Sequence, residues 1–132
     1  MNISRKTIFK WVQWFLIIYG LIGIALYYFQ DKLLLHPEPL PSDHVFRFDT
    51  PFREVRIPMN GTDTIHMVCF LPSEQPARGL VLYFHGNMEN VEHYATNASL
   101  FTDQGYEVWM PDYPGFGKSS GTIDEMKLYR QA

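Results

Sequence analysis

The stretch "LVLYFHGNMENVEHYATNASLFTDQGYEVWMPDYPGFGKSSG", residues 80–121, decides the fold. It opens with "LVLYF", a short and nearly continuous apolar run that is typical of a strand buried on both faces, as in a parallel sheet. Apolar residues then recur at helical spacing between Asn90, a candidate N-cap, and Gly105, a natural helix stop. "YEVWMP" is another apolar strand. The order strand, helix, strand predicts an α/β architecture in which helices cover a mixed sheet.

The sequence on either side extends this unit. "FREVRIP" alternates apolar and polar residues, and "IHMVCFLP" follows it after a turn signal at Asn60-Gly61, so the two segments predict a hairpin. After the glycine-rich loop, Thr122 and Glu125 form a capping box, which predicts the start of a second helix. We therefore expect about four strands and two helices in residues 52–132.

An apolar run lies near the N-terminus. Residues 11–29 contain Gln13 as their one strongly polar side chain, and such a helix spans about 28 Å, close to the hydrocarbon thickness of a bilayer. Because Arg5, Lys6 and Lys10 precede the run, the positive-inside bias predicts a cytoplasmic N-terminus and a domain on the periplasmic or another extracytoplasmic side. A cleaved signal peptide and a buried core helix are the alternatives, although no small-x-small cleavage pattern follows the run and it has no polar face.

The chain divides into three predicted segments. Residues 1–32 form a cytoplasmic tail and transmembrane signal-anchor, residues 33–51 a proline-rich connector, and residues 52–132 the α/β domain. Residues 33–132 carry seven Lys/Arg and thirteen Asp/Glu, and their net charge of −6 does not favour nucleic acid as a partner. The single cysteine, Cys69, excludes an internal disulfide, and no histidine spacing suggests a metal site, so no cofactor is expected.

Two loops leave the carboxyl ends of the predicted strands, where reactive groups gather in open α/β sheets. They are "HGNMEN" after Phe84 and "DYPGFGKSSG" after Met110. Gly86 allows the backbone to turn sharply directly after a strand, and the amides beyond it lie near a helix N-terminus, which is the construction that an oxyanion hole needs. An ordinary strand-to-helix turn, with His85 hydrogen-bonded in place, is the alternative.

The second loop contains two apparent motifs. "GKSSG" matches the G-x-S-x-G pattern of a nucleophile elbow, but an elbow serine directly follows a buried strand. The residues before Gly117 include two prolines and a glycine, so they cannot form that strand, and Ser119 is not predicted to be a nucleophile. "GFGKS" also resembles the end of a phosphate-binding loop, but that motif needs glycine where Asp112 stands. A nucleotide site is therefore the weakest alternative.

The two loop motifs together carry a family resemblance. "VLYFHGN", a helix, "GYEVWMPDYPGFGKSSG" and a second helix resemble the N-terminal part of the α/β-hydrolase superfamily. Within it, the chain resembles membrane-anchored hydrolases described as serine aminopeptidase-like or lysophospholipase-like, in which an apolar segment and a "QDKLLLHP"-type connector precede the domain. The resemblance implies a serine hydrolase that cleaves a small acyl ester or amide through an acyl-enzyme.

The resemblance also implies roles for individual residues. The backbone N–H of Asn87 is the expected first oxyanion donor, and Met88 is the alternative donor if the register differs by one. Five further residues are expected to shape the two loops rather than to react: His85, Gly86, Asp112, Gly115 and Gly117.

The catalytic triad is expected to lie outside this chain. In the superfamily the triad follows in the order Ser, Asp or Glu, His, and all three positions are expected after residue 132. The chain is therefore interpreted as the N-terminal part of an enzyme, inactive by itself, in which "LVLYF" becomes an exposed apolar edge because the strand carrying the elbow is missing. The alternative is a complete, non-catalytic, membrane-anchored binding module on a degenerate hydrolase scaffold.

Overall fold

The computed structural model describes residues 4–59, 61 and 63–123, and it forms two units. The first contains one helix, α1, Arg5–Leu34, and the second begins at Leu35. No described residue of α1 is buried, and the helix is long and apolar enough to cross a membrane. A signal sequence near an N-terminus has the same properties. The helix runs two residues beyond the boundary predicted at residue 32.

The second unit is built on a mixed sheet. The strands of the described residues are β1 His36–Pro37, β2 Phe52–Pro58, β3 Thr64–Phe70, β4 Gly79–Leu82, β5 Met88–Glu89 and β6 Tyr106–Pro111. The sheet has the order β2-β3-β6-β4, while β1 and β5 form a separate parallel pair. β2 and β3 are antiparallel, as the hairpin prediction requires. β6 is antiparallel to β3 and parallel to β4, which confirms the predicted mixed sheet.

The connection from β4 to β6 is helical but broken. The predicted single helix over residues 90–104 is instead three short segments: α2 Val91–Tyr94, a 3₁₀ turn Ala95–Ala98 and α3 Ser99–Thr102. Asn90 is the N-cap, as predicted, since its side chain accepts from the Glu92 N–H at 2.9 Å. The break has a local cause, because Ser99 donates its hydroxyl to the carbonyl three residues back at 2.9 Å and so competes with the helical ladder.

The core lies between one face of the sheet and this helical connection. It is formed by buried side chains of β3, β6, the helical connection and the segment before β2: Phe46, Val68, Phe70, Val91, Ala95, Ala98, Val108 and Met110. Burying one large apolar side chain of this kind contributes about 1.5–3 kcal/mol. The core therefore fixes β6 and the start of α2 with respect to each other, and both elements border the candidate site described below.

β4 is the outer strand of the sheet among the described residues, and it is shorter than predicted. The interpretation of "LVLYF" as a strand buried on both faces is wrong for this structure, because Leu80, Leu82 and Phe84 are 56%, 49% and 45% exposed. Its intervening side chains, Val81 and Tyr83, pack against the core. Because exposed and packed side chains alternate along the strand, Leu80, Leu82 and Phe84 lie on the face of the sheet opposite the core. Of the helix predicted from Thr122, the described residues include only Thr122 and Ile123, so the rest of that prediction lies outside them.

Candidate active site

The loop after β4 and the loop after β6 meet at one end of the sheet. Because β4 and β6 are adjacent and parallel, their carboxyl ends lie side by side. The Tyr113 hydroxyl donates to the His85 carbonyl oxygen at 2.8 Å, and Asp112 Oδ1 accepts from the Val91 N–H at 2.8 Å. The structure thus brings together the two loops that the sequence indicated.

Asp112 occupies the centre of these contacts and is fully buried. Its Oδ1 lies 3.4 Å from His85 Nε2, and its Oδ2 lies 3.8 Å from His66 Nδ1, both longer than an ordinary hydrogen bond. Burial alone would raise the pKa of Asp112, but the two histidines and the Val91 N–H outweigh burial, and the pKa is lowered from its ordinary value. Asp112 is therefore held as a buried anion between two imidazole rings.

The glycines of the two loops stand where neighbouring atoms leave little room for a side chain. A β-carbon on Gly117 would collide with the Asp112 carboxylate, and Gly117 also has a positive φ of 49°. A β-carbon on Gly86 would lie 2.6 Å from the Tyr94 hydroxyl oxygen. Gly115 lies in the same turn as Gly117 with a φ of 82°. Each position therefore excludes a side chain on grounds of space, backbone conformation or both.

The loop after β4 presents backbone at the surface. His85 is buried, whereas Gly86, Asn87 and Met88 are exposed. The His85 ring holds the turn from within, since its Nδ1 lies 2.8 Å from the Gly86 carbonyl oxygen. Asn87 stands at a bend immediately before β5, and Met88 is the first residue of β5. Gly86 has no side chain, so the exposed part of that residue is its main chain.

Residues 36–40, which we term the connector strap, join both loops. The His36 N–H donates to the Asn87 carbonyl oxygen at 2.9 Å, and the Leu40 N–H donates to the Gly117 carbonyl oxygen at 2.7 Å. The sequence predicted only an extended connector in this region. The sequence did not reveal the strap, because its bonds are formed by backbone groups. Prolines are tolerated in edge strands, and here they leave no alternating side-chain pattern that would indicate a strand.

Ser119 is 7% exposed, and its hydroxyl is engaged on both sides. Its Oγ donates to the Asp112 carbonyl oxygen at 2.7 Å and accepts from the His66 N–H at 2.8 Å. These bonds tie the loop after β6 back to β3. They give this serine a structural role and leave it little surface at which a substrate could meet the hydroxyl.

His66, on β3, belongs to the cluster but was not identified from the sequence. It is fully buried, and its Nε2 lies 2.8 Å from Glu54 Oε2, which Lys118 Nζ reaches at 2.6 Å. Burial would raise the pKa of Glu54, but the hydrogen bonds from Lys118 and His66 lower it on balance. The sequence signal for this cluster was the histidine inside the apolar run "IHMVCF". A polar group that is buried in such a strand needs a hydrogen-bonding partner, so its presence indicates further polar residues nearby.

Cys69, the single cysteine, lies apart from this cluster and is buried in β3. Burial raises the pKa of its thiol to about 11. Since the thiolate is the reactive form, a thiol with so high a pKa behaves as a small packed side chain. Cys69 is accordingly a packing residue.

Comparison with known proteins identifies the class to which this architecture belongs. Residues 75–131 match a hydrolase family described as serine aminopeptidase, S33. Among solved structures, a thioesterase domain from the curacin biosynthetic pathway is 26% identical over 61% of this chain and 29% of its own, with a TM-score of 0.51. The esterase Pf2001 of Pyrococcus furiosus is 14% identical over 74% of this chain and 39% of its own, with a TM-score of 0.50.

The strand order, the parallel pair β4 and β6, and the two loops at their carboxyl ends define an α/β fold of the hydrolase type. With the family match and the 26% identical thioesterase domain, the chain is a member of the α/β-hydrolase superfamily, and the resemblance seen in the sequence is confirmed at the level of the superfamily. The chain spans 29% and 39% of the lengths of the two structures it matches.

Proposed function

We propose that this chain is the N-terminal part of a membrane-anchored serine hydrolase that cleaves an ester or amide through an acyl-enzyme. One observation carries the proposal. Two adjacent parallel strands end in loops that hydrogen-bond to each other, and the loop after β4 exposes residues Gly86–Met88 above a buried, hydrogen-bonded support. Main-chain donors held in this way can stabilise the negative charge that develops on a carbonyl oxygen during acyl transfer.

Asn87 supplies the first oxyanion donor through its backbone N–H. The residue is exposed, follows Gly86 directly and stands at the bend before the helical connection begins. Met88, which pairs with His36 in the β1–β5 ladder, is the alternative donor. Loss of one preorganised oxyanion donor reduces kcat by about 10²–10³-fold in well-studied hydrolases. A donor of that kind is the catalytic contribution we assign to this chain.

The nucleophile, acid and base come from the remainder of a longer protein. Ser119 is buried and hydrogen-bonded on both sides, so it does not serve as the nucleophile. The chain also covers 29% and 39% of the two structures that it matches. The 132-residue chain alone is accordingly inactive in this proposal.

The N-terminal helix α1 acts as the membrane anchor. Its length and apolar character are sufficient for a span, and the positive charges of Arg5, Lys6 and Lys10 before it support a cytoplasmic N-terminus through the positive-inside bias. The hydrolase domain then lies on the extracytoplasmic side. Its substrate is a small-molecule acyl ester or amide, and the acidic domain does not bind nucleic acid.

A fluorophosphonate probe, which labels activated serines, tests this proposal. We expect the probe to label the product of the uninterrupted reading frame and not the 132-residue chain. Ser119→Ala in the longer product is the matched control and should leave labelling unchanged, because the Ser119 hydroxyl is buried. Labelling of the 132-residue chain that disappears in Ser119→Ala would overturn the proposal. A reading frame that stops after Ala132 would instead favour the binding module.

A further inference from the structure

We infer that the end of the sheet that carries the candidate site faces the membrane surface, and that the connector strap holds it there. The partner is the headgroup layer of a bilayer that is not anionic. The inference rests on the proposed function for the role of α1 as a membrane anchor. Its structural part uses only the contacts of the second unit and the length of chain that joins the strap to α1.

The first step concerns the hold of the strap on the candidate site. The His36 N–H donates to the Asn87 carbonyl oxygen at 2.9 Å. The Glu38 carbonyl oxygen accepts from the Gly117 N–H at 3.0 Å and from Asn90 Nδ2 at 3.2 Å. The first residues of the second unit are therefore bonded to the loop after β4 and to the loop after β6.

The second step concerns the length of chain between the strap and the helix. α1 ends at Leu34, and Leu35 is the single residue between it and His36. Since an extended chain covers about 3.6 Å per residue, His36 lies within about 7 Å of the end of α1, whatever the arrangement of the two units. Adding the bond from His36, the Asn87 carbonyl oxygen lies within about 10 Å of that end.

The third step concerns the height of the helix end above the lipid. The apolar run ends at Phe29, and the helical residues 30–34 beyond it rise by about 7.5 Å. The headgroup layer on one side of a bilayer is about 5–8 Å thick, which is half the difference between the full thickness and the hydrocarbon thickness. Leu34 therefore lies near the outer limit of the headgroups, and the candidate site lies within about 10 Å of that limit.

This distance is short compared with the size of a domain. A folded domain of 100 residues has a radius of gyration of about 13 Å, so it measures roughly 30 Å across. A charged surface cannot enter the hydrocarbon, so the domain extends away from its point of attachment. That point is the end of the sheet that carries the candidate site. Any ligand of the site therefore approaches along the membrane surface.

The fourth step concerns the charge of the lipid. Residues 35–46 and 84–98, which form the strap, the loop after β4 and the segments beside them, contain no Lys or Arg. Lys118, in the loop after β6, has a side chain that is 4% exposed and pairs with Glu54 at 2.6 Å. Anionic headgroups therefore find no exposed cation in these segments, whereas Glu38 would repel them. A zwitterionic surface fits this end of the sheet.

Fluorescent labels at single introduced cysteines measure which end of the domain is near the lipid. The native Cys69 does not compete for the label, because it is buried and the pKa of its thiol is raised to about 11. Met88→Cys places a label beside the candidate site, at a side chain that is 49% exposed. Ser73→Cys is the matched control, since Ser73 is also exposed and lies with Arg78 and Gly105 at the amino ends of β4 and β6.

Each labelled 132-residue chain is reconstituted into phosphatidylcholine vesicles that contain a lipid with a nitroxide on its headgroup. A nitroxide quenches only fluorophores that are close to it. We expect a several-fold larger loss of fluorescence at position 88 than at position 73. Equal losses, or a larger loss at position 73, would overturn the inference. A loss at position 88 that grows when phosphatidylserine replaces part of the phosphatidylcholine would overturn the assignment of a zwitterionic partner.

A longer connection tests the part played by the strap. Ten Gly/Ser residues inserted between Leu34 and Leu35 add a flexible segment with an end-to-end distance of about 17 Å. The loss of fluorescence at position 88 should then fall towards the loss at position 73. The same insertion before Arg5 lengthens the chain at the other end of α1 and should leave both losses unchanged. If the insertion after Leu34 also changes nothing, the short connection does not hold the site at the membrane.

Flotation of the vesicles separates this inference from the proposed function. A chain that does not float with the vesicles would reject the membrane anchor, and this inference with it. A chain that floats but shows equal losses at the two positions would reject the inference alone. Failure of serine labelling in the longer protein would reject the proposed hydrolase and leave the fluorescence result standing.

Discussion

The two loops at the end of the sheet are both rich in glycine, yet they differ in what they bury. The loop after β4 exposes Gly86, Asn87 and Met88, whereas the loop after β6 buries Asp112 and Ser119. The loop after β6, which carries more motifs, is termed the supporting loop. The loop after β4, which carries the weaker motif, is termed the presenting loop and contains the candidate site. A pattern match alone selects a loop whose matching serine, Ser119, is buried and hydrogen-bonded, because sequence patterns do not record burial or hydrogen bonding.

Gly117→Ala should have the largest effect, because it adds a β-carbon where the Asp112 carboxylate already lies. Strain at a positive φ and overpacking together predict a loss of about 2–5 kcal/mol in the free energy of unfolding. Gly61→Ala is the matched control, since its φ is 95° but nothing lies within 4 Å of the added carbon. Denaturant unfolding of both variants measures the difference. Equal losses would show that the supporting loop is not tightly packed at Gly117.

Asp112→Asn tests whether the supporting loop depends on charge. Removing the carboxylate should cost about 1–3 kcal/mol at neutral pH, because the imidazoles and the Val91 N–H lose an ionised acceptor. The pKa of Asp112 is lowered in the folded state, so its contribution is present above the ordinary value of 3.8 and is lost as the pH falls through the folded value. Unfolding measured at pH 7 and pH 3 should show a smaller acid-dependent loss in the variant. The same loss in both proteins would contradict a charged Asp112.

His36→Pro separates the connector strap from the loop after β4. Proline removes the N–H that donates to the Asn87 carbonyl oxygen, which should cost about 1 kcal/mol and displace the Asn87 amide resonance. His36→Ala retains that N–H and alters only an exposed side chain, so its effect should stay within about 0.5 kcal/mol. If the two variants behave alike, the strap does not hold the loop.

Met88→Ala should have the smallest effect. The side chain is 49% exposed, and surface substitutions of this kind change stability by about 0.5 kcal/mol or less. The proposed donors are backbone groups, so hydrolysis by the longer protein should also be retained. Thermal unfolding and turnover of a small acyl ester provide the two measurements. A large loss of stability would mean that the presenting loop is packed as tightly as the supporting one.

The sequence predicted features that local patterns determine. The β2–β3 hairpin follows from alternation and a turn signal, and the Asn90 cap from a polar residue before an apolar helical repeat. The cluster of Glu54, His66 and Asp112 could not be predicted from the sequence. The distances between these side chains depend on the register in which β2, β3 and β6 pair, and local patterns do not give that register. The break in the helical connection was also missed, since spacing alone cannot weigh side-chain competition for backbone groups.

The connector strap also has a consequence for the order of folding. Its bonds join residues 36 and 87 and residues 40 and 117, pairs that are far apart along the chain. Contacts between distant residues close large loops and tend to form late. During synthesis the strap leaves the ribosome well before either of its partners exists. We therefore expect the sheet to assemble first and the candidate site to acquire its final geometry as one of the last steps of folding.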